Sequence, residues 1–109
     1  MKDDNVYVEH ILSAIAKIEG YTEGFSLESF LKNMLVQDGV MREIEIIGEA
    51  SKNFSPEFKE KVKEIPWRDV VGMRNKLIHD YFEVDIEAVW KTVQEDIPFL
   101  KNEFLKLKK

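Results

Sequence analysis

Residues Arg74-Asn75-Lys76-Leu77-Ile78-His79-Asp80-Tyr81 place a permanent cation, a proton-transfer group and a phenol within one short stretch. The pattern is Arg, four residues, His, one residue, Tyr, and His79 is one of only 2 histidines in the chain. A guanidinium is always charged and fork-shaped, which suits it to phosphate or to the charge that develops on a reacting phosphorus. An imidazole gives or takes a proton near neutral pH, as general acid–base catalysis requires. On a straight helix Arg74 and Tyr81 fall on nearly the same face, whereas His79 points roughly 140° away from Arg74. One regular helix therefore cannot gather all three side chains. The spacing predicts a helix that ends near Ile78 or His79, with Asp80 and Tyr81 turning back on an irregular segment. At such an end the unpaired carbonyls favour imidazolium.

The elements that must carry this stretch are helical. Val8, Ile11, Leu12, Ile15 and Ile18 recur at three- and four-residue steps and predict a helix from about 5 to 20. Ser26 is a candidate cap for a second helix beginning near Leu27, with Phe30, Leu31, Met34 and Leu35 toward the core. Val40, Met41, Ile44, Ile47 and Ala50 keep the same period, so this helix is expected to run to about Asn53 with no more than a bend at Gln37-Asp38-Gly39. Ser55-Pro56-Glu57 reads as cap, first-turn proline and acidic turn of a short helix to about Lys63. Pro66 opens the helix that bears Arg74, packed through Trp67, Val70, Val71, Met73 and Leu77. Asp85 caps the last helix, which buries Val89, Trp90, Val93 and Ile97. Pro98 predicts a kink or break, with Phe99, Leu100, Phe104 and Leu105 packing beyond it. No strand-like alternation occurs, and the fold class is all-α, a bundle of four to five helices.

Composition narrows the function. A chain of 109 residues that is 44% hydrophobic and 34% charged is a single globular domain spanning 1–109. No apolar run approaches the roughly 18 residues of a membrane span, and Met1-Lys2-Asp3-Asp4 is unlike a signal peptide. The absence of cysteine excludes disulfides and fits a cytoplasmic location. A net charge of −5 argues against broad nucleic-acid binding, but the charge is uneven. Residues 59–80 hold six Lys/Arg against four acids, +2, and the remainder holds ten against seventeen, −7. Two copies of the segment brought together would double the local positive charge. Two distant histidines and scattered carboxylates give no metal-ligand spacing, and no cofactor is implied.

Several segments in register resemble a known family. Ile46-Ile47-Gly48-Glu49-Ala50, Ile65-Pro66-Trp67, Gly72-Met73-Arg74-Asn75, His79-Asp80-Tyr81 and Val89-Trp90 are similar to HepT-like proteins, small toxins of the HEPN (higher eukaryote and prokaryote nucleotide-binding) superfamily. The resemblance implies a HEPN-type helical bundle that forms a homodimer, with the two motif helices lining one cleft. It implies a metal-independent endoribonuclease whose substrate is RNA and whose partner is an MntA-type minimal nucleotidyltransferase antitoxin. Arg74 and His79 carry over as the catalytic residues, and Tyr81 as the tyrosine that receives AMP from the antitoxin. Asn75 and Asp80 are candidate accessory residues.

Each residue has a plainer alternative. Arg74 could instead form a salt bridge with Asp69, Asp80 or Glu49, and His79 could cap a helix. Tyr81 could seal the bundle. Arg42 and Glu49 are expected to form intramolecular ion pairs, His10 to be structural beside the core, and Trp67 and Trp90 to be core anchors. At this level the chain is either a ribonuclease toxin, a non-catalytic nucleotide- or partner-binding module, or chiefly a substrate for nucleotide transfer.

Overall fold

The computed structural model describes residues 4–78 and 83–107. Its elements are α1 (Asp4–Thr22), α2 (Leu27–Leu31), α3 (Met34–Lys52), α4 (Pro56–Lys61), α5 (Trp67–Val71), α6 (Met73–Leu77), α7 (Ile86–Lys91), a π-helical turn (Thr92–Asp96) and α8 (Ile97–Leu105). The all-α class holds, with more and shorter helices than the periodicity predicts. Two long helices, α1 and α3, pack against each other and form the spine. α5 and α6 cross α3, and α8 returns to α1.

The apolar stripe of α1 buries Val8, Ile11, Ile15 and Ile18, and α3 meets it with Val40, Ile44 and Ile47. Phe30, Leu100 and Phe104 close the core from α2 and α8. Ser51, also buried, donates its hydroxyl to the Ile47 carbonyl at 2.8 Å, so the core contains no orphaned hydroxyl there. An aromatic cluster joins the far end of the spine to α4 and α5. Phe54 stacks on Phe58 at 4.4 Å between centroids and lies 5.2 Å from Trp67. The half-buried Trp67 indole N–H is shared between the carbonyls of Lys59 and Val62, at 3.3 and 3.1 Å. Trp90 packs on Phe30 at 5.1 Å, so both tryptophans anchor the core as expected.

The predicted caps are present. Ser26 caps α2 in a reciprocal capping box with Ser29, Ser55 caps α4, and Asp85 caps α7. Asp4 adds a long-range tie: its carboxylate accepts from the Ser55 N–H at 2.9 Å and from the Ser55 hydroxyl at 2.8 Å. This fixes the start of α1 to the start of α4.

Several expectations need correction; the helix expected to run from Pro66 through Arg74, for one, is divided at Gly72 into α5 and α6. The second helix does not run unbroken from Leu27, because Asn33 caps a new helix by accepting from the Val36 N–H at 3.0 Å. The restart sets the register of α3, whose inward positions are Val40, Ile44 and Ile47. At about 100° per residue, Met34 and Leu35 then point well away from that stripe. They are 74% and 82% exposed rather than in the core, and Leu31 is also exposed. Pro98 does not break the chain: the Ile97 N–H reaches five residues back to the Thr92 carbonyl, and the widened π turn carries the helix through the proline. Beyond it only Leu100 and Phe104 are buried, while Phe99 and Leu105 face solvent.

Candidate functional site

The motif arginine sits on α6, a helix of little more than one turn. Met73 and Leu77, one helical repeat apart, are buried and pin α6 to the bundle. Arg74, Asn75 and Lys76 are left on its exposed side. α6 stops where the spacing requires: Ile78 is extended (φ −112°, ψ 117°) and pairs as an isolated antiparallel bridge with Val84. The Asp85 N–H donates to the Leu77 carbonyl at 2.8 Å. Both ends of the segment bearing the remaining motif residues are thereby fixed beside the end of α6. His79, Asp80 and Tyr81 themselves lie outside the described residues.

Gly48 explains how close α6 comes to α3. A Cβ there would lie 3.2 Å from the Val71 carbonyl oxygen and 3.6 Å from that of Val70. Glycine lets the end of α5 rest directly on α3, so the next residues, Gly72 to Arg74, begin against its surface. Arg74 then finds an acid on α3: its Nε lies 3.3 Å from Glu45 Oε2. Of the acids expected for a salt bridge, Asp69 and Glu49 are not the one used here, and Asp80 lies outside the described residues. Asp69 instead lies 3.7 Å from Lys76 Nζ, and Glu49 is 3.1 Å from Lys52 Nζ. Arg74 and Glu45 side chains are each 46% exposed, so solvent screens the pair and it adds little stability. The contact turns the Nε edge of the guanidinium toward Glu45 on α3.

Arg74, Asn75, Lys52 and Glu45 line one groove of about 230 Å³ between α3 and the α5–α6 junction. The structure thus brings Arg74 and Asn75 together, and the Asn75 side-chain amide has no hydrogen-bond partner among the described residues. A second groove, of about 330 Å³, runs between α1 and α3 and is lined by Tyr7, His10, Arg42 and Asn53. Glu45 and Glu49 line both. His10, on α1 beside core positions, is itself exposed, with its ring edge-on to Tyr7 at 6.1 Å. One expectation fails here: Arg42 has no ion pair among the described residues. Sequence reasoning missed Glu45 as the partner of Arg74. The available signal was charge at positions 42, 45 and 49, one face of a helix whose opposite face is apolar.

Known proteins bear on this arrangement. The family described as ribonuclease HepT-like matches residues 11–107, which takes in the Arg74 groove and the motif segment. The chain belongs to the HepT-like ribonuclease family. A Thermococcus cleftensis protein named "Probable ribonuclease HepT" is 52% identical over 103 residues, 94% of each chain. A Methanocaldococcus jannaschii protein, "Gamma-glutamylcyclotransferase and putative RNase", is 47% identical over 106 residues; these are 97% of this chain and 48% of that one. A Caldanaerobacter subterraneus protein is 41% identical over 103 residues, 94% of this chain and 92% of its own. No solved structure matches. Among the described residues of this HepT-like chain, no helix is long and apolar enough to cross a membrane.

Proposed function

We propose that this HepT-like ribonuclease is the toxin of a toxin–antitoxin pair, an endoribonuclease that cleaves RNA without a metal, through Arg74 and His79. The carrying observation is Arg74 itself, held at the rim of a groove by a half-exposed carboxylate at the end of the motif helix. RNA supplies its own nucleophile. The 2′-hydroxyl loses its proton and attacks phosphorus, the bond to the 5′-oxygen breaks, and that oxygen receives a proton. The products are a 2′,3′-cyclic phosphate and a 5′-hydroxyl. His79 serves as the proton-transfer group, and Arg74 stabilises the charge on the phosphorus oxygens.

Two copies across a dimer axis would let one histidine take the proton and the other return it. The uncovered apolar face at Leu31, Met34 and Leu35 supports a homodimer, because Met34 and Leu35 begin the same helix that carries Glu45. Asn75, whose amide has no partner among the described residues and lies beside Arg74, is suited to orient the substrate, and Asp80 to orient the motif segment. The partner is an MntA-type nucleotidyltransferase that attaches AMP to Tyr81. The added bulk and negative charge on the motif would repel substrate phosphate.

The test is cleavage of single-stranded RNA in EDTA with end-group analysis. Arg74→Ala and His79→Ala should each lose activity by about 10²–10⁴-fold. Undiminished cleavage by either variant removes that residue from the mechanism. No cleavage by the parent favours the non-catalytic binding module, the reading that the net charge of −5 supports. For Tyr81, co-expression with the partner should add whole AMP increments to the intact mass, and Tyr81→Phe should abolish them. Full retention overturns the assignment.

A further inference from the structure

We infer that the groove between α1 and α3 is a second RNA subsite, which holds the nucleotide next to the one cleaved, with Arg42 on its phosphate and the Tyr7–His10 edge against its base. The inference rests on the reading of Arg74 as the group at the scissile phosphate, and it deepens that reading.

Geometry links the two places. Glu45 and Glu49 form the wall common to both grooves. Positions 42 and 45 are neighbours on one face of α3, about 4.5 Å apart along the axis. Arg74 is in contact with Glu45. Arg42 and Arg74 therefore stand on either side of one carboxylate, a span that one or two nucleotides of a single strand can cover.

Charge makes the groove fit an anion. Glu45 is taken by Arg74 and Glu49 by Lys52, and the exposed Arg42 guanidinium forms no ion pair among the described residues. The two grooves together hold Arg42, Lys52 and Arg74 against Glu45 and Glu49, a balance of +1 in a chain of −5. A fork-shaped, always-charged guanidinium left without an acid among the described residues is suited to a phosphate.

Shape makes it fit a base. Ile46 and Ala50 lie among the lining residues as the apolar element. The half-buried Tyr7 ring is fixed by the edge of Phe54 at 5.9 Å, and it in turn holds the exposed His10 ring edge-on. A braced aromatic edge beside a cation accepts any base, as single-strand binders require. The pocket of about 330 Å³ falls at the lower end of the range for small-ligand sites, the size one nucleotide asks for.

The experiment compares the parent with Arg42→Ala, Arg42→Lys and Arg74→Ala on two substrates, a single-stranded RNA of several nucleotides and a dinucleoside monophosphate. The latter contains only the scissile phosphate. On the longer RNA, Arg42→Ala should raise KM about tenfold with kcat unchanged, the loss of one charged hydrogen-bonded contact. In binding titrations with the His79→Ala background, it should reduce the slope of log K against log salt by about 0.7, one phosphate contact on a single strand. Arg42→Lys should keep the slope, and the dinucleoside monophosphate should not distinguish parent from Arg42→Ala. An unchanged KM and slope for Arg42→Ala on the longer RNA overturns the subsite. Equal losses on both substrates also overturn it, because Arg42 would then act at the reacting phosphate. If Arg74→Ala cleaves like the parent, the underlying reading of the reaction fails instead; if Arg74→Ala is dead and Arg42→Ala silent, only the subsite fails.

Discussion

Replacing Gly48 with alanine tests the contact that brings the motif helix to α3. Two effects oppose each other. Alanine in a helix interior is favoured over glycine by about 1 kcal/mol. The new Cβ, however, would sit 3.2 Å from the Val71 carbonyl oxygen, closer than ordinary van der Waals contact. That oxygen belongs to backbone, not to the tip of a flexible side chain, so relief requires the end of α5 to move away from α3. Overpacking of this kind costs about 1–3 kcal/mol. The net expectation is a loss of about 1 kcal/mol, seen as a fall in Tm of about 4 °C. Gly20 supplies the control, since a Cβ there meets nothing within 4 Å. Gly20→Ala, near the end of α1, should stabilise by about 0.5 kcal/mol. Thermal and denaturant unfolding at one fixed protein concentration would read both signs. If Gly48→Ala stabilises as much as Gly20→Ala, the close approach of α5 to α3 is refuted, and with it the account of how Arg74 reaches Glu45.

Asp4→Ala removes both hydrogen bonds to Ser55 and should cost about 1.5–3 kcal/mol in denaturant unfolding; Ser55→Ala keeps the N–H bond but also loses the α4 cap and should cost a similar amount. Glu45→Gln should change stability by less than about 1 kcal/mol, because the pair is exposed, while weakening the hold on Arg74. Its signature is a fall in kcat with the unfolding midpoint unmoved; a parent-like kcat would show that Glu45 does not aim the guanidinium. Met34→Glu combined with Leu35→Glu should shift a dimer toward monomer in sedimentation without loss of helical signal, since neither side chain contributes to the core of one copy. An unchanged sedimentation coefficient would show that this face is not where copies meet. Asp85→Ala removes the acceptor for the Ala88 N–H and should cost about 1 kcal/mol.

Local chemistry was readable from the chain, and long-range register was not. Ser26, Ser55 and Asp85 announce helix starts because each cap is decided within three residues. The stop of α6 at Ile78 was readable because no helix can gather Arg74, His79 and Tyr81. Asn33 was missed because Leu31, Met34 and Leu35 continue an apolar period across it, and period alone cannot tell a cap from a polar residue within a helix. The same blindness put Met34 and Leu35 in the core. Glu45 and Arg42 were missed for a different reason. Which acid meets Arg74 depends on where α6 lands on α3, and a hydrogen atom in place of a Cβ at Gly48 decides that landing.

The weakness of the Arg74–Glu45 pair fits the chemistry assigned to it. A buried pair would hold the arginine tightly, but separating it would leave an uncompensated charge, at a cost of about 3–5 kcal/mol. RNA could not then recruit the guanidinium without losing most of what the contact returns. At 46% exposure the pair holds direction rather than energy, worth at most about 1 kcal/mol. The contact engages Nε, the inner edge of the guanidinium, so an arriving phosphate approaches a cation already turned toward the groove. In the proposed binding mode Glu45 would also repel a phosphate that lies too deep, while Arg42 on the preceding turn would attract its neighbour. The acid between two arginines would thereby set where a strand can lie, and the overall acidity of the chain would keep RNA from settling elsewhere.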